Sequence, residues 1–183
     1  MTREELIIGA VRVAGSLLVL RWALVGGLVA VLVDFSDLFL KNLLDLGGVR
    51  DYQAFDKYLD QVYMLAFLGV AVRWQGPARS ISIALYAFRL AGFVLFEATG
   101  ARVLLLFFPN VFEFWFLFVA SLPHWRPAFR FGRRQVGAAV GVLLVLKEAQ
   151  EFVLHEARWL DRFTAVEAVQ SIWDWLTPSA FGR

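Results

Sequence analysis

Apolar residues occupy long stretches of this chain, and charged residues gather in short segments between them. A helix needs about nineteen residues, or about 28 Å of helical rise, to cross the hydrocarbon layer of a bilayer. Four apolar stretches meet or approach that length, at residues 22–40, 59–74, 80–98 and 101–121. A fifth predicted span, at 135–157, is apolar as far as Leu146 and continues as a helix through Lys147, Glu148, Glu151 and His155. The pattern therefore predicts an all-α, polytopic helical membrane protein with about five transmembrane helices in a single membrane domain, residues 1–183.

Amphipathic segments flank these stretches at both ends of the chain. Thr2 and Glu5 have the spacing of a capping box, which predicts a helix start near residue 3. One narrow stripe of that helix contains Glu5, Gly9, Arg12 and Ser16. The stripe predicts an interfacial helix over residues 1–21, with a single tilted helix over 7–33 as the alternative. Residues 164–176 are predicted to form a second amphipathic helix, on the membrane surface.

Composition supports the membrane interpretation. The chain is 60% hydrophobic and 19% charged, whereas soluble domains are roughly half apolar and a quarter charged. Its mean hydropathy is +0.63, so its apolar surface exceeds what one soluble core of this size buries. A net charge of only +2 argues against a nucleic-acid partner. The absence of cysteine excludes disulfides and thiolate chemistry.

Basic residues in short loops predict the orientation. A cytoplasmic N-terminus places nine arginines on the cytoplasmic side: Arg3, Arg12, Arg21, Arg73, Arg79, Arg126, Arg130, Arg133 and Arg134. The other side then receives seven basic residues, and the arginine-rich loop at 122–134 lies inside. We therefore expect an integral protein of a plasma or inner membrane with a cytoplasmic N-terminus.

Four aspartates flank the polar segment between the first two predicted spans: Asp34, Asp37, Asp56 and Asp60. Residues three or four apart share a helix face, so two antiparallel helices would bring the four carboxylates together. Carboxylate oxygens without histidine or cysteine suit a hard divalent cation such as Mg, Mn or Ca. The alternative is a solvated loop in which Asp37 pairs with Lys41 and Lys57 with Asp60.

The spacing DxxD followed by DxxxD, over residues 34–60, resembles the acidic motif of the CDP-alcohol phosphatidyltransferases. The resemblance implies two divalent metal ions held by the four aspartates, and phosphoryl transfer to a lipid head group. In that family a glycine follows the second aspartate and an Ala-Arg pair comes soon after, whereas Leu38 follows Asp37 here. The gap between the two halves is also one residue longer. The family motif is expected at the cytoplasmic surface, while the predicted topology places these aspartates outside.

Charged residues within predicted spans are costly and mark candidate functional sites. Arg89 falls at the middle of the third span and Glu97 at its end, and Glu113 lies on the next helix at a depth that matches Arg89. We expect Arg89 and Glu113 to form an ion pair. The alternative is an unpaired carboxylate that carries protons.

A polar stripe follows the fifth span, where Glu148, Glu151, His155, Arg158 and Arg162 recur every three or four residues. The favoured interpretation is a solvated or partner-facing surface, and the alternative is a metal site or proton relay that extends the intramembrane polar network. Gly137 and Gly141 form a GxxxG pattern. This pattern predicts close packing of another helix, from the same bundle, a homodimer or a larger subunit.

Three functions are compatible with these residues. The first is binding or transport of a cation, a proton or a lipid-like ligand by buried carboxylate and arginine groups. The second is an accessory subunit of a larger membrane complex. The third is a phosphotransferase that depends on a divalent metal, Mg or Mn, at the aspartate cluster. Patterns typical of other nucleophile or phosphate sites, such as GxSxG, a glycine-rich loop or HExxH, are absent from the sequence.

Overall fold

The computed structural model describes residues 2–43, 52–101, 103–126 and 128–152, and all regular structure in these ranges is helical. The chain divides into two compact units, Met1–Lys147 and Glu148–Arg183. Nearly all of the second unit lies outside the described residues, together with the predicted helix at 164–176 and His155. The bundle described below is formed by the first unit.

Local sequence rules explain where the helices start and end. In chain order they are α1 (Arg3–Leu17), α2 (Ala23–Leu43), α3 (Tyr52–Ala71), α4 (Pro77–Thr99), α5 (Val103–Phe107), α6 (Val111–Trp125) and α7 (Arg133–Glu151), with a 3-10 turn at Leu18–Leu20. The predicted capping box is confirmed: the Thr2 hydroxyl accepts from the Glu5 N–H at 3.2 Å, and the Thr2 N–H donates to the Glu5 carboxylate at 2.8 Å. α4 begins with Pro77, a residue with no N–H to leave unpaired. It ends at Gly100, whose φ of +69° favours glycine.

One predicted span is divided in the structure. The hydrophobic pattern predicts a single helix at 101–121, but the chain forms α5 and then α6. Pro109 lies at the break, because proline lacks the N–H that an uninterrupted helix requires. The Phe108 N–H still donates to the Leu104 carbonyl at 3.1 Å, and helical structure resumes at Val111. The structure therefore has a break where the hydrophobic pattern predicts one continuous span. This break leaves backbone carbonyls without helical donors.

The other apolar stretches coincide with helices whose ends are shifted. α3 begins at Tyr52, well before the predicted start at 59, and α7 begins at Arg133 rather than at 135. The predicted bounds follow apolar residues only, so they leave out polar residues at the ends of a helix. The backbone hydrogen bonds of the helix nevertheless continue through those polar residues. At the N-terminus the helix stops at the 3-10 turn, so the alternative of one tilted helix over 7–33 does not occur.

Packing between the first three helices fixes their directions. α1 and α2 are antiparallel neighbours joined by the turn at 18–22, and α3 runs in the same direction as α1. Close approaches of side chains at glycines show this arrangement: Val33 lies against Gly15, Phe55 against Gly9, and Leu20 near Gly69. Both the α1–α2 turn and the C-terminal end of α3 therefore lie at one end of the bundle.

The later helices continue this arrangement. α4 returns antiparallel to α3, α6 runs alongside α3, and α7 returns along α6. The contacts that show it are Lys57 with Phe96, Tyr63 with Glu113, Trp74 with Phe116, and Lys147 with Phe114. As a result, the α3–α4 turn at 72–76 and the α6–α7 loop at 126–132 lie at the same end as the α1–α2 turn.

Aromatic side chains of α3 and α6 form the centre of the bundle. Phe67 stacks on Phe116 with ring centroids 4.1 Å apart, and Trp74 stacks on Phe116 at 5.1 Å. Phe67, Phe112 and Phe116 are fully buried. Gly27 brings α2 close to this group, since a Cβ there would lie 3.2 Å from the Phe116 ring. Aromatic packing, which stabilises beyond the area it buries, thus joins three helices.

The outer surface of the bundle is apolar, whereas several charged and polar side chains are buried. On α1, Leu6 and Leu17 are 55% and 53% exposed, but Arg12 and Ser16 are only 3% exposed. The polar stripe predicted to face the lipid headgroups therefore faces the interior of the bundle. In the described ranges, α4 is the one helix long and apolar enough to cross a membrane, and only 17% of its most apolar window is buried.

Candidate functional site

Three helices meet at the side chain of Arg12. Its Nη2 donates to the Asp34 carboxylate of α2 and, at 2.7 Å, to the Asp60 carboxylate of α3. Arg12 is 3% exposed, and the two carboxylates are 30% and 22% exposed. Charge-assisted hydrogen bonds strengthen where the local dielectric is low. These three residues, the Arg12 triad, therefore tie α1, α2 and α3 together.

The Arg12 triad contains two of the four aspartates predicted to bind a divalent metal. Asp34 and Asp60 do converge, but they converge on a guanidinium, which supplies the positive charge that a metal would otherwise supply. The side chains of Asp37 and Asp56 lie outside the described residues. Among the side chains that are described, no group of three acidic, histidine or cysteine residues could hold a metal ion. The Mg or Mn site stays a prediction.

The position of Arg12 differs from the headgroup location that its stripe predicts. Glu5, Arg12 and Ser16 are all at least nine-tenths buried. A stripe of polar residues shows that a helix has two different faces, but it does not show which face turns inward. Two aspartates on neighbouring helices decide it here, because they offer partners to the buried guanidinium.

Arg89 of α4 contacts the break between α5 and α6. Its Nη1 donates to the Phe108 carbonyl at 2.8 Å, one of the acceptors freed at the proline break. Gly92, one turn later on α4, permits the close approach, since a Cβ there would lie 2.3 Å from Phe108 Cβ. Arg89 Nε is buried without a hydrogen-bond partner among the described residues. Arg89 therefore fixes the broken segment against α4.

A buried carboxylate follows the break. Glu113, in the first turn of α6, accepts on Oε2 from the Tyr63 hydroxyl at 3.0 Å and from Asn110 Nδ2 at 3.2 Å. Asn110 Nδ2 also donates to the Tyr63 hydroxyl oxygen at 2.9 Å. Each of these three side chains, the Glu113 cluster, is at most 5% exposed. The N-terminal end of a helix favours a negative charge, so α6 itself helps to hold the carboxylate.

The donor groups of the Glu113 cluster are used, whereas part of its acceptor capacity is not. Tyr63 has one hydroxyl proton, which it gives to Glu113, and the Asn110 amide supplies the other two hydrogen bonds. Asn110 Oδ1 is buried without a partner in the described part of the chain. Both hydrogen bonds to Glu113 from described residues end on Oε2 rather than Oε1. A further group that binds here must therefore be a donor or a cation.

The predicted ion pair between Arg89 and Glu113 is not formed. Arg89 bonds to a backbone carbonyl, and Glu113 bonds to the neutral side chains of Tyr63 and Asn110. The break at Pro109 explains the difference, because it presents Arg89 with a carbonyl that an unbroken helix would not offer. Glu97 is exposed at the end of α4, away from both groups.

The predicted polar stripe after the fifth span is described only at its start. Glu148 is exposed, and the Glu151 side chain and all of His155 lie outside the described residues. Gly137 and Gly141 of α7 are exposed, and a Cβ at either would meet no described atom within 4 Å. The close packing predicted for this GxxxG pattern therefore does not occur with described residues of the same chain.

Sequence reasoning missed Tyr63 and Asn110. Neither residue carries a charge, so neither stands out as a charged residue within a predicted span. Two weaker signals exist. Asn110 directly follows a proline within an apolar stretch, and Tyr63 follows Asp60 by one helical turn. A polar residue next to a helix-breaking proline is a reasonable candidate for binding, because the backbone there has unpaired groups.

Comparisons of the sequence with protein-family models and with curated proteins find no match, and comparison with solved structures finds none either. The geometry of the Arg12 triad and of the Glu113 cluster is therefore the basis for a functional proposal.

Proposed function

We propose that this chain is an integral membrane bundle that binds a proton or a small monovalent cation at Glu113, in a transport-type role. The observation that carries the proposal is the Glu113 cluster, a buried carboxylate with neutral neighbours whose remaining polar atoms accept rather than donate. A buried carboxylate without a cationic partner is costly, so it favours the binding of a cationic ligand.

The distribution of polar and apolar side chains supports a bilayer as the surrounding solvent. Large apolar side chains on several helices are more than half exposed, among them Val25, Leu32, Val94, Phe107 and Val145. Arg12 and Glu113, by contrast, are buried and bonded to other helices. This inversion is favourable in lipid, where polar groups must find their partners inside the protein.

The broken helix supports a binding role. Transporters commonly place ion sites where an unwound segment interrupts a membrane helix, since the freed carbonyls and helix ends are polar. Here the segment at Phe108–Asn110 separates α5 from α6, and Glu113 follows within one turn. Arg89 uses the Phe108 carbonyl. Asn110 Oδ1 and the Glu113 carboxylate are left for a ligand.

The experiment compares Glu113→Gln with Glu97→Gln in the full-length protein. Thermal midpoints are measured in one detergent across pH, and at fixed pH across Na⁺ and K⁺ concentrations at constant ionic strength. A ligand that binds only the native state stabilises it by about 2.7 kcal/mol at a hundred times its Kd. Glu97 is the matched control, because it is an exposed carboxylate on α4 outside the cluster.

Wild type and Glu97→Gln are expected to show the same ligand dependence, and Glu113→Gln is expected to lose it. A cation-dependent rise at fixed pH assigns a metal cation, whereas a dependence on pH alone assigns a proton. Tyr63→Phe removes one hydrogen-bond donor and should alter the dependence without abolishing it. Full wild-type dependence in Glu113→Gln would refute the proposal.

A second function, as a subunit of a larger complex or a homodimer, is favoured by the exposed face of α7. Val142 and Val145 are 59% and 68% exposed beside Gly137 and Gly141. Small residues at this spacing let another helix approach closely in a membrane. Gly141→Leu is expected to abolish cross-linking of the protein in native membranes while its thermal midpoint in detergent is unchanged. Cross-linking at the wild-type level would exclude this face as the contact.

A further inference from the structure

Seven of the ten arginines in the described part of the chain lie at one end of the bundle. The α1–α2 turn, the α3–α4 turn and the α6–α7 loop meet there. We name this surface the arginine end; its members are Arg21, Arg73, Arg79, Arg126, Arg130, Arg133 and Arg134, all of them exposed. They come from separate parts of the sequence, and the antiparallel packing of the helices brings them to one side.

Acidic residues of the described helices and loops at this end do not balance this charge. The sequence contains no Asp or Glu at 13–33, 61–96 or 114–147, the segments that supply the described helices and loops at this end. None of the seven arginines takes part in an ion pair with a described residue, since the described pairs belong to Arg12. The net charge of +2 for the whole chain thus conceals a strongly positive surface.

Tryptophan side chains accompany the arginines. Trp22 and Trp125 are 55% and 79% exposed, and the Arg21 guanidinium lies 5.7 Å from the Trp22 ring centroid. Tryptophan is enriched where a membrane protein crosses the boundary between hydrocarbon and water. Phe131 packs on Trp115 with ring centroids 5.5 Å apart. This contact holds the α6–α7 loop at the arginine end.

We infer that the arginine end is the cytoplasmic end of the bundle and binds the phosphate groups of anionic lipids. The inference rests on the membrane location in the proposed function, but not on Glu113. Guanidinium groups bind phosphate through paired hydrogen bonds, and the cytoplasmic leaflet carries negative charge. Since α1 runs toward this end, Arg3 lies at the opposite, outer end. The structure thereby favours an outer N-terminus instead of the cytoplasmic one that the sequence predicts.

Lipid binding is tested on the full-length protein in detergent by native mass spectrometry. Phosphatidylglycerol and phosphatidylcholine with the same acyl chains are added separately, and their dissociation constants are compared. We expect phosphatidylglycerol to bind more tightly, and we expect Arg126→Gln and Arg130→Gln each to reduce that preference about fivefold. Arg3→Gln is the control at the opposite end and should leave the preference unchanged. Arg130→Lys keeps the charge and should retain it.

Inorganic phosphate separates a lipid surface from a general anion site. Inorganic phosphate and free phosphatidylglycerol are each used as competitors against bound phosphatidylglycerol. If inorganic phosphate competes as effectively as the lipid, the assignment to lipid is overturned. Equal affinity for the two lipids, or an equal loss in Arg3→Gln and Arg130→Gln, overturns it as well. Glu113→Gln should bind phosphatidylglycerol normally, so this result is independent of the cation-site experiment.

The orientation has its own test, because a chain without cysteine accepts single-cysteine labels. Arg3→Cys and Arg130→Cys are expressed in cells and treated with a thiol reagent that does not cross membranes. We expect Arg3→Cys to react in intact cells and Arg130→Cys to react only after permeabilisation. The reverse result would overturn the orientation.

Discussion

Replacing Gly92 by alanine tests whether α4 directly contacts the break between α5 and α6. The added Cβ would lie 2.3 Å from Cβ and 2.6 Å from Cγ of Phe108, whereas carbon atoms in contact are about 3.5–4.0 Å apart. Phe108 Cβ is attached to the backbone and cannot rotate away. The two segments must therefore separate by more than about 1 Å, which also stretches the hydrogen bond from Arg89 to the Phe108 carbonyl.

Two opposing effects set the change in the free energy of unfolding. Overpacking of this kind costs about 1–3 kcal/mol, and the weakened charge-assisted hydrogen bond costs about 1 kcal/mol more. Alanine in place of glycine within a helix returns about 1 kcal/mol. The net result for Gly92→Ala is a loss of about 1–3 kcal/mol. Gly137→Ala is the matched control: no described atom lies within 4 Å of its Cβ, so it should gain up to about 1 kcal/mol.

Thermal unfolding in a single detergent, followed by far-ultraviolet circular dichroism, measures both variants. Their midpoints should move in opposite directions, with a separation of roughly 2–16 °C for a chain of this size. A Gly92→Ala protein as stable as Gly137→Ala would show that α4 does not approach the break closely, and the positioning role assigned to Arg89 would fail with it.

Three further predictions concern the charged clusters. Arg12→Leu removes the buried cation of the triad and should lower the free energy of unfolding by about 3–5 kcal/mol; adding Asp60→Asn should restore part of that loss, and a second full loss in a denaturation experiment would contradict the triad. Because Arg12 already compensates two aspartates, Mg, Mn and Ca are expected to leave the thermal midpoint unchanged, whereas a rise that Asp37→Asn abolishes would establish the metal site and favour the phosphotransferase. Arg89→Met and Glu113→Gln should have additive effects within about 0.5 kcal/mol, since the two side chains have separate partners; a coupling above about 1 kcal/mol in a double-mutant cycle would indicate the ion pair after all.

Some helix ends could be predicted from sequence, because they depend on residues close together in the chain. The capping box at Thr2 is an example. Pro109 is different. A proline removes one backbone hydrogen bond in any helix, but whether the helix bends or stops depends on what receives the freed carbonyl. Here the donor is Arg89, nineteen residues away, and no local pattern reveals it.

The candidate sites depend on which helix faces pack against one another. The sequence predicts that packing only in part. Asp34 and Asp60 stand out as carboxylates near apolar stretches, and they do converge. Their shared partner Arg12 was not predicted, because it lies on an amphipathic stripe that is equally compatible with a surface-exposed face. Tyr63 and Asn110 were hidden because burying neutral polar groups leaves no trace in the charge pattern.

On the proposed membrane location, the Arg12 triad has a consequence for insertion of the chain into the bilayer. An arginine near the centre of an isolated helix costs about 2.5–3.5 kcal/mol on insertion through the translocon, and an aspartate costs about as much. α1 and α2 are antiparallel and joined by a short turn, so Arg12 and Asp34 reach the same depth within one helical hairpin. Their charges compensate each other before Asp60 is available. In a bilayer, α1 and α2 are therefore expected to insert together as a hairpin, because neither helix alone could compensate its buried charge. α3 is then added, and its Asp60 completes the Arg12 triad.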